Sequence, residues 1–378
     1  MRICIYELSH HETAWALLQV LEVPGNAITL FVSQGVARHL HDAQGVDAQR
    51  HQWIVQGPEQ SERSFIASMH AWCLDHRPDI LLLATVESNH LPVARALRGS
   101  KNTRVLLMIH DVHNYFQSRP SMSVRGLVRH FGKKALLHRV SGFMSISERV
   151  RDHLAGFVKD GRPVIRLAGA VFDPATYAPA TLQAGGPVRI VVPGSYDMRR
   201  RDYESLFRIA GELEEHKVVV RIDLLGGPGP DTERILSMCR AWKGVHVKFS
   251  WYGEQEVPET EFAHQIQYAH FIWVPSVIQT SIADGILEVY GKSKSSGNVF
   301  DGIRFARPLL TPEALQVDPM QRPACFRYAT SVDLVSFIAS MARNPEGYVP
   351  WREAALQVSD LFTVDRLRAK LPDLLTLP

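Results

Sequence analysis

Two segments in the C-terminal half combine the residue types that bind phosphate. The first is a basic tract, Arg199 to Arg201, in front of an amphipathic helical pattern. The second is a loop of small residues that follows two lysines and also precedes a helical pattern; it contains Lys292, Lys294, Ser295, Ser296, Gly297 and Asn298. Guanidinium groups, ammonium groups and the free N–H groups of a helix N-terminus all stabilise anions. Both segments are therefore candidates to contact the diphosphate of a ligand.

Each segment has an alternative interpretation that involves no ligand. The arginine tract lies among acidic residues, as in a solvated surface cluster, and the serine loop is compatible with simple helix capping. Two further segments that follow strand patterns are candidates for the same ligand: LLGGPGP with Gly226, and FSWYG with Tyr252. A glycine there lets a ligand approach the backbone, but the spacing fits neither a dinucleotide site nor a P-loop.

In the N-terminal half, His110 and Asp111 directly follow an apolar strand pattern and are candidate catalytic residues. A histidine at a strand end is also compatible with a simple hydrogen bond to a backbone carbonyl. His10, His11 and Glu12 come closest to a metal-ligand cluster. Adjacent residues of an extended segment point to opposite sides, so we predict that they bind no metal and that one histidine lines an acceptor site.

The elements that position these residues alternate between short apolar strand patterns and helical patterns. The first series of strands reads RICIYEL, AITLFVS, DILLLAT, RVLLMIH and GFMSIS, and the second reads VRIVVPG, VVVRIDLLGG, VHVKFSWYG, AHFIWVPS and RPLLTPE. This alternation is typical of parallel sheets with crossover helices. Ligands of such sheets bind beyond the carboxyl ends of the strands, where the candidate residues lie.

A Pro/Ala/Gly-rich segment at 172–187 separates the two series and predicts a linker. We therefore predict an α/β protein of two Rossmann-like domains that face each other across a cleft. The N-terminal, acceptor-binding domain covers 1–171, the C-terminal, nucleotide-binding domain covers 188–358, and a terminal segment covers 359–378. That last segment contains a helix pattern from Val364 to Leu371.

Composition restricts the class of protein. The chain has 378 residues, of which 46% are hydrophobic and 21% charged, as in soluble globular proteins. Its four cysteines are scattered without metal-site spacing: Cys4, Cys73, Cys239 and Cys325. We expect a reducing, cytoplasmic compartment. No run approaches the roughly 20 apolar residues of a membrane span, and the N-terminal apolar run is too short for a signal peptide.

The segment from Val112 to Ser147 has no acidic residue and six basic ones: Arg119, Arg125, Arg129, Lys133, Lys134 and Arg139. Apolar residues recur along one helical stripe within it: Leu127, Val128, Phe131, Ala135, Leu136 and Leu137. Such a helix lies on an anionic membrane or packs its apolar face on the core. The missing acids favour the membrane, so we predict that residues 119–139 contact the inner face of the cell membrane. Aromatic residues do not interleave with the basic ones, so nucleic acid is not an expected partner.

Seven segments, in order, resemble the GT-B fold glycosyltransferases, particularly those of retaining family 4. They are MIHDVHN, FMSISERVRDHL, RLAGAVFDPATYAP, VVPGSYDMRRRDYESLF, IDLLGG, VKFSWYG with HFIWVPS, and the serine loop with DGIRFARPLLTPE. The resemblance implies that Gly194, Arg201 and Gly297 contact a donor diphosphate and that Asp301 binds the ribose. It also implies that His110 faces the donor sugar and the acceptor, and that the terminal helix crosses back to the first domain.

The sequence departs from the family pattern at three places. The family has a pair of acids with seven residues between them, and counting back from Asp301 places Ser293 where the first of these, a glutamate, is expected. Glu288 could replace that acid only with a shift in register. Ser195 stands where an arginine usually follows the first-loop glycine, so Arg199 or Lys294 must supply the charge. The N-terminal glycine-rich loop is replaced by SHHET.

The resemblance implies transfer of a sugar from a nucleotide-diphosphate donor to a hydroxyl of a lipid-linked or polysaccharide acceptor. It implies retention of configuration, no protein nucleophile, no metal and no cofactor besides the donor substrate. Arg201 and Lys294 would stabilise the departing diphosphate. Two alternatives stay open: a GT-B-like protein that binds a nucleotide sugar without turnover, which Ser293 favours, and a nucleotide-sugar epimerase, which needs paired carboxylates.

Overall fold

A computed structural model of the chain describes residues 1–43, 45–99, 102–120, 123–253, 255–281, 285–371 and 375. The N-terminal unit is built on a parallel sheet of seven strands, in the order β3-β2-β1-β4-β5-β6-β7. The strands are β1 (Arg2–Glu7), β2 (Ala27–Val32), β3 (Gln52–Val55), β4 (Ile80–Leu83), β5 (Arg104–Met108), β6 (Gly142–Ser145) and β7 (Val164–Arg166). The strand order reverses between β1 and β4, which is the position where Rossmann-like sheets bind ligands.

Helices cover both faces of this sheet, so a central strand such as β4 is buried along its whole length. The helices are α1 (His11–Leu21), α2 (Gln34–Arg38), α3 (Glu62–His76), α4 (His90–Ala96), α5 (Val112–Phe116), α6 (Val124–Arg139) and α7 (Glu148–Ala155). Serine side chains accept backbone N–H bonds at the N-termini of several of them, including Ser61 before α3, Ser123 before α6 and Ser147 before α7. These caps fix where the helices begin.

The C-terminal unit has a six-stranded parallel sheet and a separate two-stranded antiparallel hairpin. The strands are β8 (Val188–Pro193), β9 (Val220–Leu225), β10 (Val247–Trp251), β11 (Phe271–Trp273), β12 (Gln279–Ser281), β13 (Leu287–Val289), β14 (Leu309–Pro312) and β15 (Cys325–Tyr328). The main sheet has the order β10-β9-β8-β11-β14-β15, and β12 with β13 forms the hairpin. The helices are α8 (Tyr203–Glu215), α9 (Thr232–Ala241), α10 (Glu259–Tyr268), α11 (Gly297–Arg304) and α12 (Ser331–Arg343).

The end of the chain returns to the N-terminal unit through α13 (Val349–Asp360) and α14 (Val364–Arg368). The Phe172 N–H donates to the Phe362 carbonyl at 3.0 Å, and the Arg368 guanidinium donates to the carbonyls of Gln19, at 2.8 Å, and Glu22. The predicted crossover is therefore present, although its helix ends at Arg368 rather than Leu371. The predicted domain boundary at residue 358 falls inside α13.

One apolar core joins the two units. Phe300 and Ile303 of α11 and Val358 of α13 belong to the same buried cluster as Met108 and Met144 of the N-terminal sheet. Two Rossmann-like sheets thus meet along α11 and α13, and the predicted α/β fold is confirmed. Among the described residues, no helix is both long and apolar enough to cross a bilayer.

Candidate active site

A cavity of about 1400 Å³ lies between the two units, at the carboxyl ends of both main sheets. Its N-terminal wall is formed by the loops after β1, β4 and β5 together with part of α6. Its C-terminal wall is formed by the loops after β8 and β9 and by the start of α11. Ten of the predicted site residues line it: His110, Asp111, Gly194, Arg201, Lys294, Ser295, Ser296, Gly297, Asn298 and Asp301.

Arg201 fixes the loop that follows β8. Its guanidinium donates to the carbonyls of Pro193 at 2.9 Å and Ser195 at 3.0 Å and to the Asn298 side-chain oxygen at 3.0 Å. Gly194 between those carbonyls has φ +99°, and a Cβ there would lie 1.6 Å from the Arg201 Nη2 atom. An arginine has five N–H donors, so two of them stay available for a ligand.

The N-terminus of α11 faces the same cavity. Ser296 is its N-cap residue, and its first turn contains Asn298, whose amide donates to the Pro193 carbonyl at 2.6 Å. The Ser295 hydroxyl is buried without a hydrogen-bond partner among the described residues. The free N–H groups of this turn, the unpaired hydroxyl and Arg201 together form a site suited to a diphosphate.

Asp301 lies one turn into α11 and lines the cavity. Burial raises the pKa of Asp301 to about 7. The nearby Arg304 lowers this pKa, whereas the carboxylates of Glu12 and Glu259 raise it. Arg304 pairs with Glu259 at 2.6 Å. In the described part of the chain no group donates a hydrogen bond to the Asp301 carboxylate, so it can accept hydrogen bonds from a ligand.

His110 lies at the floor of the N-terminal wall. Its Nε2 atom is 3.0 Å from the Ala84 carbonyl oxygen and 3.2 Å from the Thr85 hydroxyl oxygen. The pKa of His110 is lowered to about 4, mainly by burial and to a smaller extent by the neighbouring His10. The imidazole is therefore neutral at physiological pH. His110 therefore contacts a backbone carbonyl and also lines the cavity, so the two interpretations of this residue are compatible.

Asp111 and Lys294 form an ion pair across the two units. The Lys294 ammonium contacts the Asp111 carboxylate. The Asp111 side chain is 16% exposed and the Lys294 side chain is 13% exposed. Their backbones also form an isolated antiparallel bridge. The positive charge of Lys294 at the cavity is therefore partly neutralised by Asp111.

Ser293 and Glu288, at or near the position of the expected glutamate, are buried and do not line the cavity. The Ser293 hydroxyl accepts the Val289 N–H at 2.8 Å, and its carbonyl accepts the Val112 N–H at 2.9 Å. Glu288 is fully buried and accepts the Asn114 N–H at 2.6 Å, and burial raises its pKa. Both residues hold the hairpin against α5, so Glu288 does not replace the missing acid.

Three predicted binding residues lie outside the cavity wall. Arg199 pairs with Asp197 at 2.9 Å and points to solvent. A Cβ on Gly226 would lie 2.5 Å from the Tyr196 ring, so this glycine permits core packing. The Tyr252 hydroxyl donates to Glu261 at 2.7 Å. The prediction that these residues contact the ligand therefore finds no support in the geometry.

Two other residues of the predicted segments line the cavity in place of Arg199 and Gly226. They are Arg200 and Gly227, each one position further along the chain. Which arginine of a basic tract enters the cavity depends on the turn from Asp197 to Arg201, where the Arg201 N–H donates to the Asp197 carbonyl at 3.0 Å. Sequence spacing shows the tract but carries no signal for that turn.

The SHHET loop belongs to the N-terminal wall and contacts the opposite unit. The His11 ring lies 3.8 Å from Glu259 of the opposite unit and 4.3 Å, centroid to centroid, from the His39 ring, on which it stacks. His10 lies beside His110, with ring centroids 5.4 Å apart. Within the described ranges, no group of three or more His, Cys, Asp or Glu side chains is arranged to hold a metal ion.

The predicted basic helix, α6, presents glycines to the protein and part of its apolar stripe to solvent. A Cβ on Gly132 would lie 2.8 Å from the Leu91 backbone nitrogen, which shows how closely α6 packs on α4. Leu136 and Leu137 are buried, as the core-facing interpretation expects. The exposed apolar residues lie in its first two turns: Val124, Leu127, Val128 and Phe131, at 78, 36, 46 and 59%. The core-facing interpretation is therefore wrong for this half of the helix.

No family model matches the sequence, and no curated protein matches it. Solved structures are similar over nearly the whole chain. HepE from Anabaena, solved with UDP and glucose, has a TM-score of 0.61 at 11% identity and 98% coverage of both chains. A glycosyltransferase from Rickettsia africae has a TM-score of 0.62 at 11% identity, over 98% of this chain and 96% of that one. A UDP-N-acetylglucosamine 2-epimerase homologue from Listeria monocytogenes has a TM-score of 0.58 at 10% identity, over 97% and 94%. At these identities the likeness shows the fold alone.

Proposed function

The chain has the GT-B fold, and we propose that it is a glycosyltransferase that uses a nucleotide-diphosphate sugar. The observation that carries this proposal is the convergence of Arg201 and the α11 N-terminus on one cavity. Two anion-stabilising devices there suit a diphosphate, and Asp301 lies where its carboxylate can accept hydrogen bonds from ribose hydroxyls. Because HepE was solved with UDP and glucose, a uridine diphosphate sugar is the first donor to test.

The proposed chemistry depends on stabilising the leaving group. Negative charge develops on the diphosphate as the glycosidic bond to the sugar breaks, and Arg201 with the α11 N–H groups can offset it. Arg200 adds a second cation to the same wall. We propose that these groups make a metal unnecessary, so chelation should leave activity intact. Lys294 contributes less than its charge suggests, because Asp111 is its partner.

We further propose retention of the anomeric configuration. Asp111 pairs with Lys294 and Glu259 pairs with Arg304, so neither of these cavity carboxylates is presented as a nucleophile. The oxygen of the leaving phosphate can then deprotonate the acceptor hydroxyl on the same face of the sugar. Proton NMR of the new glycoside reads the configuration of its anomeric carbon; an inverted product would contradict this mechanism.

Donor turnover tests the activity itself. Wild-type protein is incubated with a panel of nucleotide sugars, and free nucleoside diphosphate is measured. Release is expected for one donor and should be lost in Arg201→Ala. A suitable control is Arg208→Ala, because Arg208 is exposed on α8 and pairs only locally with Glu212. Tight binding without release, whatever acceptor is supplied, would favour the alternative of a binding protein.

The epimerase alternative is separated by the same incubation. The fold of the Listeria structure keeps this alternative open, and acidic residues do meet in the cavity around Asp301. Epimerisation by elimination of the diphosphate gives an altered nucleotide sugar when UDP adds back to the sugar, or free UDP with an altered free sugar when water adds instead. Transfer gives free UDP and an acceptor-bound sugar of unchanged stereochemistry. Chromatography of the sugar products therefore decides between the two.

For the acceptor we propose a lipid-linked saccharide or a polysaccharide reached at the cytoplasmic face of the membrane. Arg125 and Val128 of α6 line the cavity, while Val128 also belongs to the exposed apolar stripe. One helix thus connects a basic, apolar surface with the mouth of the site. Such a surface gains energy from both apolar burial and anionic headgroups, at about 1 kcal/mol for each basic residue near the lipid.

Vesicle co-sedimentation tests this membrane contact. Binding should require phosphatidylglycerol in phosphatidylcholine vesicles and should weaken with added salt. Val124→Ser should reduce it, whereas Val332→Ser should not, because Val332 is similarly exposed, at 65% against 78%, but lies on α12 of the other unit. Equal recovery with neutral and anionic vesicles would end the proposal.

A further inference from the structure

Glu7 is a fully buried acid beneath the N-terminal wall of the cavity. It ends β1, and its Oε1 atom accepts the N–H groups of Ser9 at 2.8 Å and His10 at 2.9 Å. Its Oε2 atom accepts the Thr85 hydroxyl at 2.7 Å. Burial raises the pKa of Glu7, and the three hydrogen bonds act against that rise because each donates to the ionised carboxylate. Glu7 therefore fixes the backbone at the start of the SHHET loop through the N–H groups of Ser9 and His10.

Thr85 transmits the position of Glu7 to His110. A threonine hydroxyl has one proton, and Thr85 donates it to Glu7, so its oxygen can only accept from the His110 Nε2 atom at 3.2 Å. The Ala84 carbonyl, at 3.0 Å from the same nitrogen, also requires a donor. The Nε2 atom must therefore carry the proton. In the neutral ring the Nδ1 atom then has a free lone pair, and it makes no hydrogen bond with any described residue.

We infer that Glu7 is a positioning residue that turns the Thr85 proton away from the His110 Nε2 atom. His110 then keeps the Nε2–H tautomer that the Ala84 carbonyl requires, and its bare Nδ1 atom is presented to a substrate hydroxyl. His110 lines the cavity, while Glu7 lies behind the wall, so Glu7 acts only through its partners. That this hydroxyl belongs to a donor or acceptor sugar rests on the proposed function. The direction of the two hydrogen bonds, from His110 to Thr85 and from Thr85 to Glu7, rests on the contacts alone.

The isosteric variant Glu7→Gln tests the direction of the chain. Two N–H groups converge on the Oε1 position, so the amide oxygen of the glutamine should take that place and its NH₂ group should face Thr85. The Thr85 oxygen then accepts a hydrogen bond, and its proton is free to point at the His110 Nε2 atom. We expect the Nδ1–H tautomer of His110 to gain population. Selective ¹⁵N labelling of histidine, with assignment by His110→Asn, reads the tautomer directly.

Thr85→Val supplies the second arm. It removes the hydroxyl but leaves the Ala84 carbonyl, so His110 should keep the Nε2–H tautomer. The double variant Glu7→Gln/Thr85→Val should therefore resemble Thr85→Val, because no hydroxyl is left to reverse the chain. Such non-additivity is expected of residues in one network and not of two independent structural defects. Thr85→Ser, which keeps the hydroxyl, should behave as wild type.

The outcomes separate cleanly. An unchanged wild-type His110 tautomer in Glu7→Gln, with all signals dispersed as in a folded protein, would overturn the inference, as would a wild-type His110 in the Nδ1–H form. Should Glu7→Gln fail to fold, the tautomer of His110 in the wild-type protein still tests the inference, because the Nδ1–H form there would overturn it. Donor turnover should fall about tenfold in Glu7→Gln, the loss of one oriented hydrogen bond. If the tautomers behave as expected but no nucleotide sugar turns over, the proposed function fails and this inference stands.

Discussion

Gly194→Ala should disable the proposed donor site through a collision with Arg201. The new Cβ would lie 1.6 Å from the Nη2 atom of Arg201, and the backbone φ of +99° is one that side-chain-bearing residues rarely adopt. Strain of this kind costs on the order of 1–3 kcal/mol, and each hydrogen bond that Arg201 gives up costs about 1 kcal/mol more. We therefore expect unfolding free energy to fall by roughly 2–4 kcal/mol.

The loss of donor affinity should be larger than a general loss of stability explains. A displaced guanidinium forfeits a charge-assisted contact with the diphosphate, which is worth about 1.5–3 kcal/mol, or roughly ten- to 150-fold in Kd. Urea unfolding measures the first quantity, and calorimetric titration with UDP measures the second, at a temperature where the variant is folded.

Two comparisons make this prediction specific. Gly211→Ala, on α8, meets no atom within 4 Å and should raise stability by about 0.5–1 kcal/mol without changing UDP affinity. In the double variant Gly194→Ala/Arg201→Ala the collision is gone, so its affinity should equal that of Arg201→Ala. Additive losses in the double variant would refute the reasoning, because they would show that Gly194 acts independently of Arg201.

Three further outcomes are expected. Because burial raises the pKa of Asp301 to about 7, its carboxylate is protonated below that pH and accepts fewer ribose hydrogen bonds. Affinity for UDP-glucose, which has no terminal phosphate that titrates near pH 6, should fall about tenfold from pH 8 to pH 6 in wild type but stay flat in Asp301→Asn. A flat wild-type profile would refute the assignment. Lys294→Met leaves the mostly buried Asp111 carboxylate without its partner, close to the proposed position of the diphosphate. Calorimetric titration should therefore show weaker UDP binding in Lys294→Met than in Asp111→Asn. The reverse order of affinities would contradict the pairing. Phe131→Ser should melt within about 2 °C of the wild-type protein, because the Phe131 side chain is 59% exposed. The same variant should bind less to anionic vesicles. A large drop in melting temperature would place Phe131 in the core instead.

Most of the fold could be predicted from the sequence because its central strands are apolar on both faces. The ten apolar runs correspond to β1, β2, β4, β5, β6, β8, β9, β10, β11 and β14. The strands that were missed are short or lie at edges, such as β7 with three half-buried residues and β3 with both ends exposed. Their stability comes from pairing with a neighbour, which leaves little hydrophobic pattern in the sequence.

The candidate site was predictable only at the level of loops. Motif order located the loop after β8 and the start of α11, since glycine, serine and arginine at those places have a local physical reason. The choice between Arg199 and Arg200 depends on a turn, and the roles of Ser293 and Glu288 depend on contacts with α5, about 175 residues away in sequence. Local sequence patterns carry no information about such contacts between units.

The direct test of the central claim is a mass-balanced transfer assay. The protein is incubated with a nucleotide sugar labelled in the sugar, together with the lipid and polysaccharide fractions of its native cell, and both products are quantified. We expect one nucleoside diphosphate for each labelled sugar that becomes acceptor-bound, and loss of both products in Arg201→Ala. Labelled sugar that stays on the nucleotide, or is released as an altered free sugar, would contradict a glycosyltransferase.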